Sequence, residues 1–152
     1  MKIDAVVVCD ASLRISNYSG EVIASVGGAV LIGGESLIDI SLHLEGWRSS
    51  DITQIEYHAL LTGLLVASQL NTRSLQLVGD NQQALDMIRA QIVNNDPSIP
   101  RELRRRLRCL ESFTVVKAGK DDVRLAHDLA NRASTVRLAE IDKQRSETLR
   151  TI

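Results

Sequence analysis

Residues 74–93 read SLQLVGDNQQALDMIRAQIV, and within this one stretch the chain passes from strand to helix with an acid at the junction. SLQLVG (74–79) is a short apolar run, Asp80 closes it, and NQQALDMIRAQIV (81–93) takes up helical spacing through Ala84, Leu85, Ile88 and Ile92. A strand that feeds straight into a helix is half of a crossover unit, and crossovers join parallel strands. Working toward the N-terminus, DITQIEYHALLTGLLVASQL (51–70) repeats Ile52, Ile55, Ala59, Leu60, Gly63 and Val66 at three- and four-residue steps, a helix that Asn71 is expected to stop. Further back, IDAVVVC (3–9) is a β-branched apolar run that ends at Asp10. After the polar SLRISNYSG come EVIASVGGAVLI (21–32) and SLIDISLHL (36–44), two strand-like runs around the Gly33-Gly34 turn. These three runs predict an antiparallel meander.

Toward the C-terminus, NNDPSIP (94–100) contains both prolines of the chain and reads as a loop. RELRRRLRCLE (101–111) reads as a short helix with Leu103, Leu107 and Leu110 on one stripe, and SFTVVKAG (112–119) as a fifth strand. Asp121 and Asp122 then precede a long helix from Val123 to about Leu149, whose charged end, about residues 140–152, is expected to protrude or fray. The order β-β-β-α-β-α-α-β-α predicts an α/β fold: a five-stranded mixed sheet, three strands antiparallel and the rest parallel, flanked by helices on both faces. In such sheets ligands bind beyond the carboxyl ends of the strands near a change of strand order, where the first and fourth strands deliver Asp10 and Asp80.

The 152 residues suit a single domain over 1–152, and 44% hydrophobic with 24% charged residues is ordinary for a folded chain. No apolar run approaches the roughly 20 residues of a membrane span, and MKIDAVVVCD places an acid ahead of its apolar stretch, unlike a signal peptide. A cytoplasmic location without a membrane partner is the expectation. Cys9 and Cys109 make neither a disulfide framework nor a zinc motif. A net charge of −1 means that any nucleic-acid binding must come from local charge, and 3% aromatic residues argue against a base-stacking platform.

Two acids ending neighbouring hydrophobic strands repel one another, and a bound cation removes the conflict. Mg²⁺ takes oxygen ligands and commonly shares carboxylates with water and phosphate. Two further acids border apolar stripes: Glu56 in IEYHALL and Asp128 in LAHDLANRA, the latter among Leu125, Leu129 and Ala133.

Taken together, VVVCDAS around Asp10, QIEYHALLTGL around Glu56, LVGDNQQAL around Asp80 and RLAHDLANRA around Asp128 resemble the ribonuclease H family. Each motif is unspecific alone; the four in order, on matching elements from residue 3 to about 135, are a fairly specific set. The resemblance implies a ribonuclease H-like fold and a catalytic, metal-binding set of Asp10, Glu56, Asp80 and Asp128. It also implies two Mg²⁺ or Mn²⁺ ions, with Asp10 bridging both, Glu56 and Asp80 on the ion near the leaving group, and Asp128 on the ion that activates water. The implied activity is endonucleolytic hydrolysis of the RNA strand of RNA/DNA hybrids, leaving a 5′-phosphate and a 3′-hydroxyl.

The chain departs from that pattern in places. Relatives often carry a histidine in the loop before the last helix, and KAGKDD (117–122) has none. His127 lies about 100° around the helix from Asp128 and reads as a surface or packing residue. Ala11 and Thr53 stand where relatives often have Gly and Asn. Ser12, Thr53, Gln54 and Asn81 remain as hydrogen-bonding candidates for substrate. Lys120 is a phosphate candidate, with a solvated loop lysine as the plainer reading. Arg101, Arg104, Arg105 and Arg108 form a basic stripe, in which Arg104 and Arg105 are candidates for hybrid phosphates and a solvated face is the alternative. Trp47 reads first as a hydrophobic anchor and second as a stacking residue. Two other functions stay open: a nuclease of this fold acting on a different nucleic acid, and a non-catalytic nucleic-acid-binding domain.

Overall fold

Residue alternation along the strands decides what each side of the sheet meets. In the computed structural model, which describes residues 2–150, the strands are β1 (Ile3–Ile15), β2 (Val22–Ile32), β3 (Glu35–His43), β4 (Thr72–Gly79) and β5 (Ser112–Lys117). The helices are α1 (Ile52–Ala67), α2 (Gln82–Val93), α3 (Arg101–Arg108) and α4 (Arg124–Arg150). The sheet runs β3-β2-β1-β4-β5, with β1–β2 and β2–β3 antiparallel and β1–β4 and β4–β5 parallel. This is the expected five-stranded mixed sheet. The β2–β3 turn is Gly33-Gly34 with φ of +60° and +82°, the left-handed pair a tight hairpin needs.

One side of β1, through Ala5, Val7, Cys9 and Ala11, is buried in the main core with Val26 of β2 and Leu77 of β4. Ile55, Leu60 and Leu64 of α1, Leu85 and Ile88 of α2 and Leu103 and Leu107 of α3 close over that side. The other side is covered by α4, where Val8 and Val78 meet Val123 and Ala126 in a smaller cluster. Here α4 lies directly on the backbone of β2: a Cβ at Gly27 would stand 2.0 Å from the Ala126 carbonyl oxygen and 2.5 Å from the Ala130 nitrogen. Two hydroxyls anchor the same contact. Ser41 donates to the Leu129 carbonyl at 2.6 Å and Ser134 to the Ser25 hydroxyl at 2.8 Å.

Two boundaries differ from the sequence reading. First, β1 does not end at Asp10 but continues to Ile15, because the antiparallel ladder with β2 runs on through Asp10↔Gly27 to Ile15↔Val22. Only the parallel ladder with β4 stops short, at Val8↔Val78. Asp10 therefore sits just beyond the fork where β4 leaves β1. Second, α1 stops at Ala67 with Ser68 as its C-cap, ahead of Asn71. Helix α4 runs to Arg150, about where the sequence reading ended it, and beyond Ile141 its described side chains are exposed, Arg145 lying over the Tyr18 ring at 3.8 Å. Met1, Thr151 and Ile152 of the 1–152 span lie outside the described residues. Among the described residues no helix is long and apolar enough to cross a membrane.

Candidate active site

Three elements bring carboxylates to the fork. Asp10 comes from β1, Asp80 from the first residue after β4, and Glu56 from the second turn of α1. Helix α1 is started there by Asp51, whose carboxylate accepts the Thr53 backbone N–H at 3.0 Å. Asn81 caps α2 in the same way, accepting from the Ala84 N–H at 2.9 Å. One oxygen each of Asp10, Glu56 and Asp80 lies within 4.8 Å of the others. Asp10 is 4% exposed and Glu56 7%, so little solvent screens their repulsion.

The electrostatics follow from that crowding. Burial, then the hydrogen bond with Asp10, then the charges of Asp10 and Asp80 hold the Glu56 carboxyl far above the usual carboxylate range, against the Ala11 N–H. Asp80 is raised too, by burial and then by Asp10, while its own N–H, Lys120 and His127 oppose the shift. Among the described residues no lysine or arginine forms an ion pair with any of the three. A set of partly buried, mutually repelling carboxylates whose one basic neighbour at ion-pair distance, among the described residues, is the His127 imidazole beside Asp10 fits a divalent cation, which exchanges repulsion for shared ligation.

The fourth expected acid is not part of this group. Asp128 is exposed and does not line the cleft; the residue before it does. His127 Nδ1 lies 2.8 Å from Asp10 Oδ2, and its Nε2 lies 2.9 Å from the Asn131 amide nitrogen. The Asn131 carbonyl in turn accepts from Ser12 at 2.9 Å and from Arg14 at 3.4 Å. His127 is half exposed, at the surface as the sequence reading had it, but its contact with Asp10 was not foreseen; the placement of Asp128 departs from that reading, and the helix explains both. The buried face of α4 is Ala126, Leu129, Ala130, Ser134 and Ile141, whose middle lies nearer His127 than Asp128, which is a further 100° round. Leu125, taken as part of the buried stripe around Asp128, is 44% exposed. The spacing of small residues at 126, 130 and 134, a sign of close helix-to-sheet approach, was the available signal.

The other expected residues divide. Ser12 and Lys120 line an open cleft of about 590 Å³ above the acids, together with Arg14 and Arg124, which the sequence reading did not single out. Thr53, Gln54 and Asn81 do not line it: the Thr53 hydroxyl donates to Gln83 at 3.2 Å, and the Asn81 carbonyl is engaged in its cap. Arg104 and Arg105 are away from the cleft altogether. Helix α3 leads into the start of β5, which pairs with the start of β4 (Ser74↔Ser112) at the end of the sheet opposite Asp80. There Arg104 and Arg108 bond the Asn95 side chain at 3.1 and 3.0 Å, and Arg105 pairs with Glu102. Arg104 and Arg108 thus brace the α2–α3 loop, and Glu102 balances Arg105. Trp47 donates to the Ser49 carbonyl at 2.8 Å and meets the edge of His58, as an anchor does.

Known structures share this architecture. The ribonuclease H1 of the halophilic archaeon Halobacterium salinarum is 23% identical, with 88% of this chain and 97% of that one covered and a TM-score of 0.59. The ribonuclease H domain of the foamy virus PFV is 14% identical over 90% and 97% of the two chains, with a TM-score of 0.67. A compost-derived metagenomic ribonuclease H1, LC11, solved with an RNA/DNA hybrid, is 14% identical over 89% and 99%, with a TM-score of 0.62. No curated protein sequence matches the chain. The model of the family described as reverse transcriptase-like matches residues 18–133, a span that holds Glu56, Asp80 and the His127-Asp128 pair. With that match over most of its length, this chain belongs to the reverse transcriptase-like family, and its fold is that of the ribonuclease H structures.

Proposed function

We propose that the protein is a divalent-metal-dependent endonuclease that hydrolyses the RNA strand of RNA/DNA hybrids. The observation that carries this reading is the convergence of Asp10, Glu56 and Asp80 within 4.8 Å at the fork of β1 and β4. The match to the reverse transcriptase-like family and the likeness to a ribonuclease H1 solved with a hybrid support the substrate class.

Two Mg²⁺ or Mn²⁺ ions, which Asp10, Glu56 and Asp80 would hold, would supply an activated water and stabilise the departing oxygen. The chain's own part is to position and to neutralise. Asp10 and Glu56, held by a strand and a helix of the main core, keep their carboxylates close to one another at little cost in reorganisation when a cation arrives. Glu56 gives up its proton on that occasion, since its raised affinity for the proton comes from burial and from the two neighbouring acids. Lys120, Arg124 and Arg14 line the cleft and meet the phosphates on either side of the scissile bond. Water adds to phosphorus, the bond to the 3′-oxygen breaks, and the products carry a 5′-phosphate and a 3′-hydroxyl.

End-labelled hybrid, single-stranded RNA, duplex RNA and DNA, each incubated with the protein in Mg²⁺ or Mn²⁺, test the reading. The expected result is cleavage of the hybrid's RNA strand that chelator stops and Asp10→Asn lacks. Cleavage of a different nucleic acid transfers the mechanism to that substrate. Binding of the hybrid without cleavage in either metal overturns the enzymatic reading in favour of a binding domain.

A further inference from the structure

We infer that His127 contributes an imidazole nitrogen to the metal site, in the place where a fourth carboxylate is expected, and that this donor biases the site from Mg²⁺ toward first-row transition ions such as Mn²⁺. The inference rests on the reading of Asp10, Glu56 and Asp80 as cation ligands.

Position is the first argument. His127 Nδ1 stands 2.8 Å from Asp10 Oδ2. Adjacent donors of an octahedral site with bonds of roughly 2.1 Å are about 3 Å apart, so the pair is already spaced as neighbouring ligands of one ion; His127 is not within 4.8 Å of all three acids, so the ion concerned is one shared with Asp10. The acid next to it cannot take this place. Bringing Asp128 into the cleft requires turning α4 by about 100°. The Gly27 contact with Ala126 and Ala130 and the Ser41–Leu129 and Ser134–Ser25 hydrogen bonds hold the helix in its present rotation.

The surroundings of the ring are the second argument. A ligating histidine characteristically has its other nitrogen engaged by a polar group that sets the ring's orientation. Asn131, one helical turn on, faces His127 Nε2 at 2.9 Å and is itself held by Ser12. Without a cation, Nδ1–H donates to Asp10. Ligation through Nδ1 leaves the proton on Nε2; the Asn131 carboxamide accepts it only when turned over, its nitrogen then donating to the Ser12 hydroxyl and Arg14 giving up its 3.4 Å contact with the oxygen.

Chemistry supplies the third. Mg²⁺ strongly prefers oxygen, whereas imidazole suits the transition ions. Replacing one carboxylate by a neutral nitrogen also removes a negative charge that a purely electrostatic Mg²⁺ site depends on.

Mn²⁺ added to the 152-residue chain without nucleic acid tests this by a route independent of turnover. Pulsed electron paramagnetic resonance of the wild-type complex is expected to show coupling to a directly bound ¹⁴N. The coupling should vanish in His127→Ala and His127→Asp and persist in Asp128→Asn, with circular dichroism confirming that each variant is folded. By calorimetry, His127→Ala should weaken Mn²⁺ binding by about tenfold or more. His127→Asp should recover Mg²⁺ binding, lowering the Mn²⁺/Mg²⁺ preference by about tenfold. A wild-type Mn²⁺ complex without nitrogen coupling, or coupling that survives in His127→Ala, overturns the inference. If such an uncoupled ion is still lost in Asp10→Asn, the acidic site stands and only the role of His127 falls. If nitrogen-coupled protein cuts no nucleic acid, the nuclease reading falls and the ligand assignment stands. Absence of any bound Mn²⁺ overturns both.

Discussion

Glu56 is the residue at which the conflict in this site is greatest. An isolated glutamate titrates near 4.5, and in the folded chain burial and the two aspartates raise that value. The folded protein therefore holds a proton that the unfolded chain has already released, and stability falls as pH rises above about 4.5 toward the folded value. Metal-free protein should show a declining Tm between roughly pH 5 and 8. Glu56→Gln, which keeps the shape and removes the charge, should flatten the decline and raise Tm at pH 8 by roughly 4 °C or more, with little change near pH 4.5. Thermal scans across pH decide it; an unchanged slope in the variant would show that Glu56 is not strained. Asp10→Asn relieves the same repulsion, so its Tm should match or exceed wild type while cleavage drops by at least roughly a hundredfold. Unaltered turnover would remove Asp10 from the machinery. Asp128, by contrast, is exposed and outside the cleft, and Asp128→Asn should leave cleavage within about twofold of wild type in a side-by-side assay.

Helix α4 and strand β1 are the elements that turn a generic sheet into a site. The strand keeps its ladder to β2 while losing β4, and this opens the gap into which Asp10 and Asp80 project. The helix lies so close to β2 that there is no room for a methyl group at Gly27, whereas at Gly28 an added Cβ would meet the Val8 carbonyl at 3.2 Å and the Ile40 side chain at 3.4 Å. Gly27→Ala should therefore cost about 3 kcal/mol or more in urea unfolding, Gly28→Ala distinctly less. Because Gly27 seats the turn of α4 that carries His127, Gly27→Ala should also weaken Mn²⁺ binding, a result calorimetry on the folded variant would reveal. Equal destabilisation by the two alanines would contradict the tight seating of α4.

Charge over the whole molecule is nearly balanced, with a formal net charge of −1, so attraction to nucleic acid depends on where the cations sit. The cleft is lined by Arg14, Lys120 and Arg124, the last paired with Asp121 at 3.0 Å, while the arginines of α3 lie at the end of the sheet opposite Asp80, bound to Asn95 and Glu102. Three phosphate-facing cations predict that hybrid affinity falls with salt at a log–log slope of about −3. Lys120→Glu and Arg124→Glu should each reduce that slope by about one, and Arg105→Glu should leave it unchanged. Filter binding over a salt series measures all three. A slope that responds to Arg105 would return α3 to the interface.

The order and type of the elements, the mixed sheet and three of the four acids that resemblance nominated were legible in the amino-acid order. Strand and helix periods differ sharply, and Asp10, Glu56 and Asp80 each sit at a point where an apolar pattern meets an acid. The rotation of α4 was not legible in the same way. Neighbouring helical residues differ by about 100°, and whether His127 or Asp128 enters the cleft depends on which side of the helix finds a surface able to receive it. That surface is the bare backbone of β2 at Gly27, a partner from more than ninety residues away in the chain. Only close packing between distant segments could choose the imidazole over the carboxylate, and likewise send the arginines of α3 to the far end of the sheet.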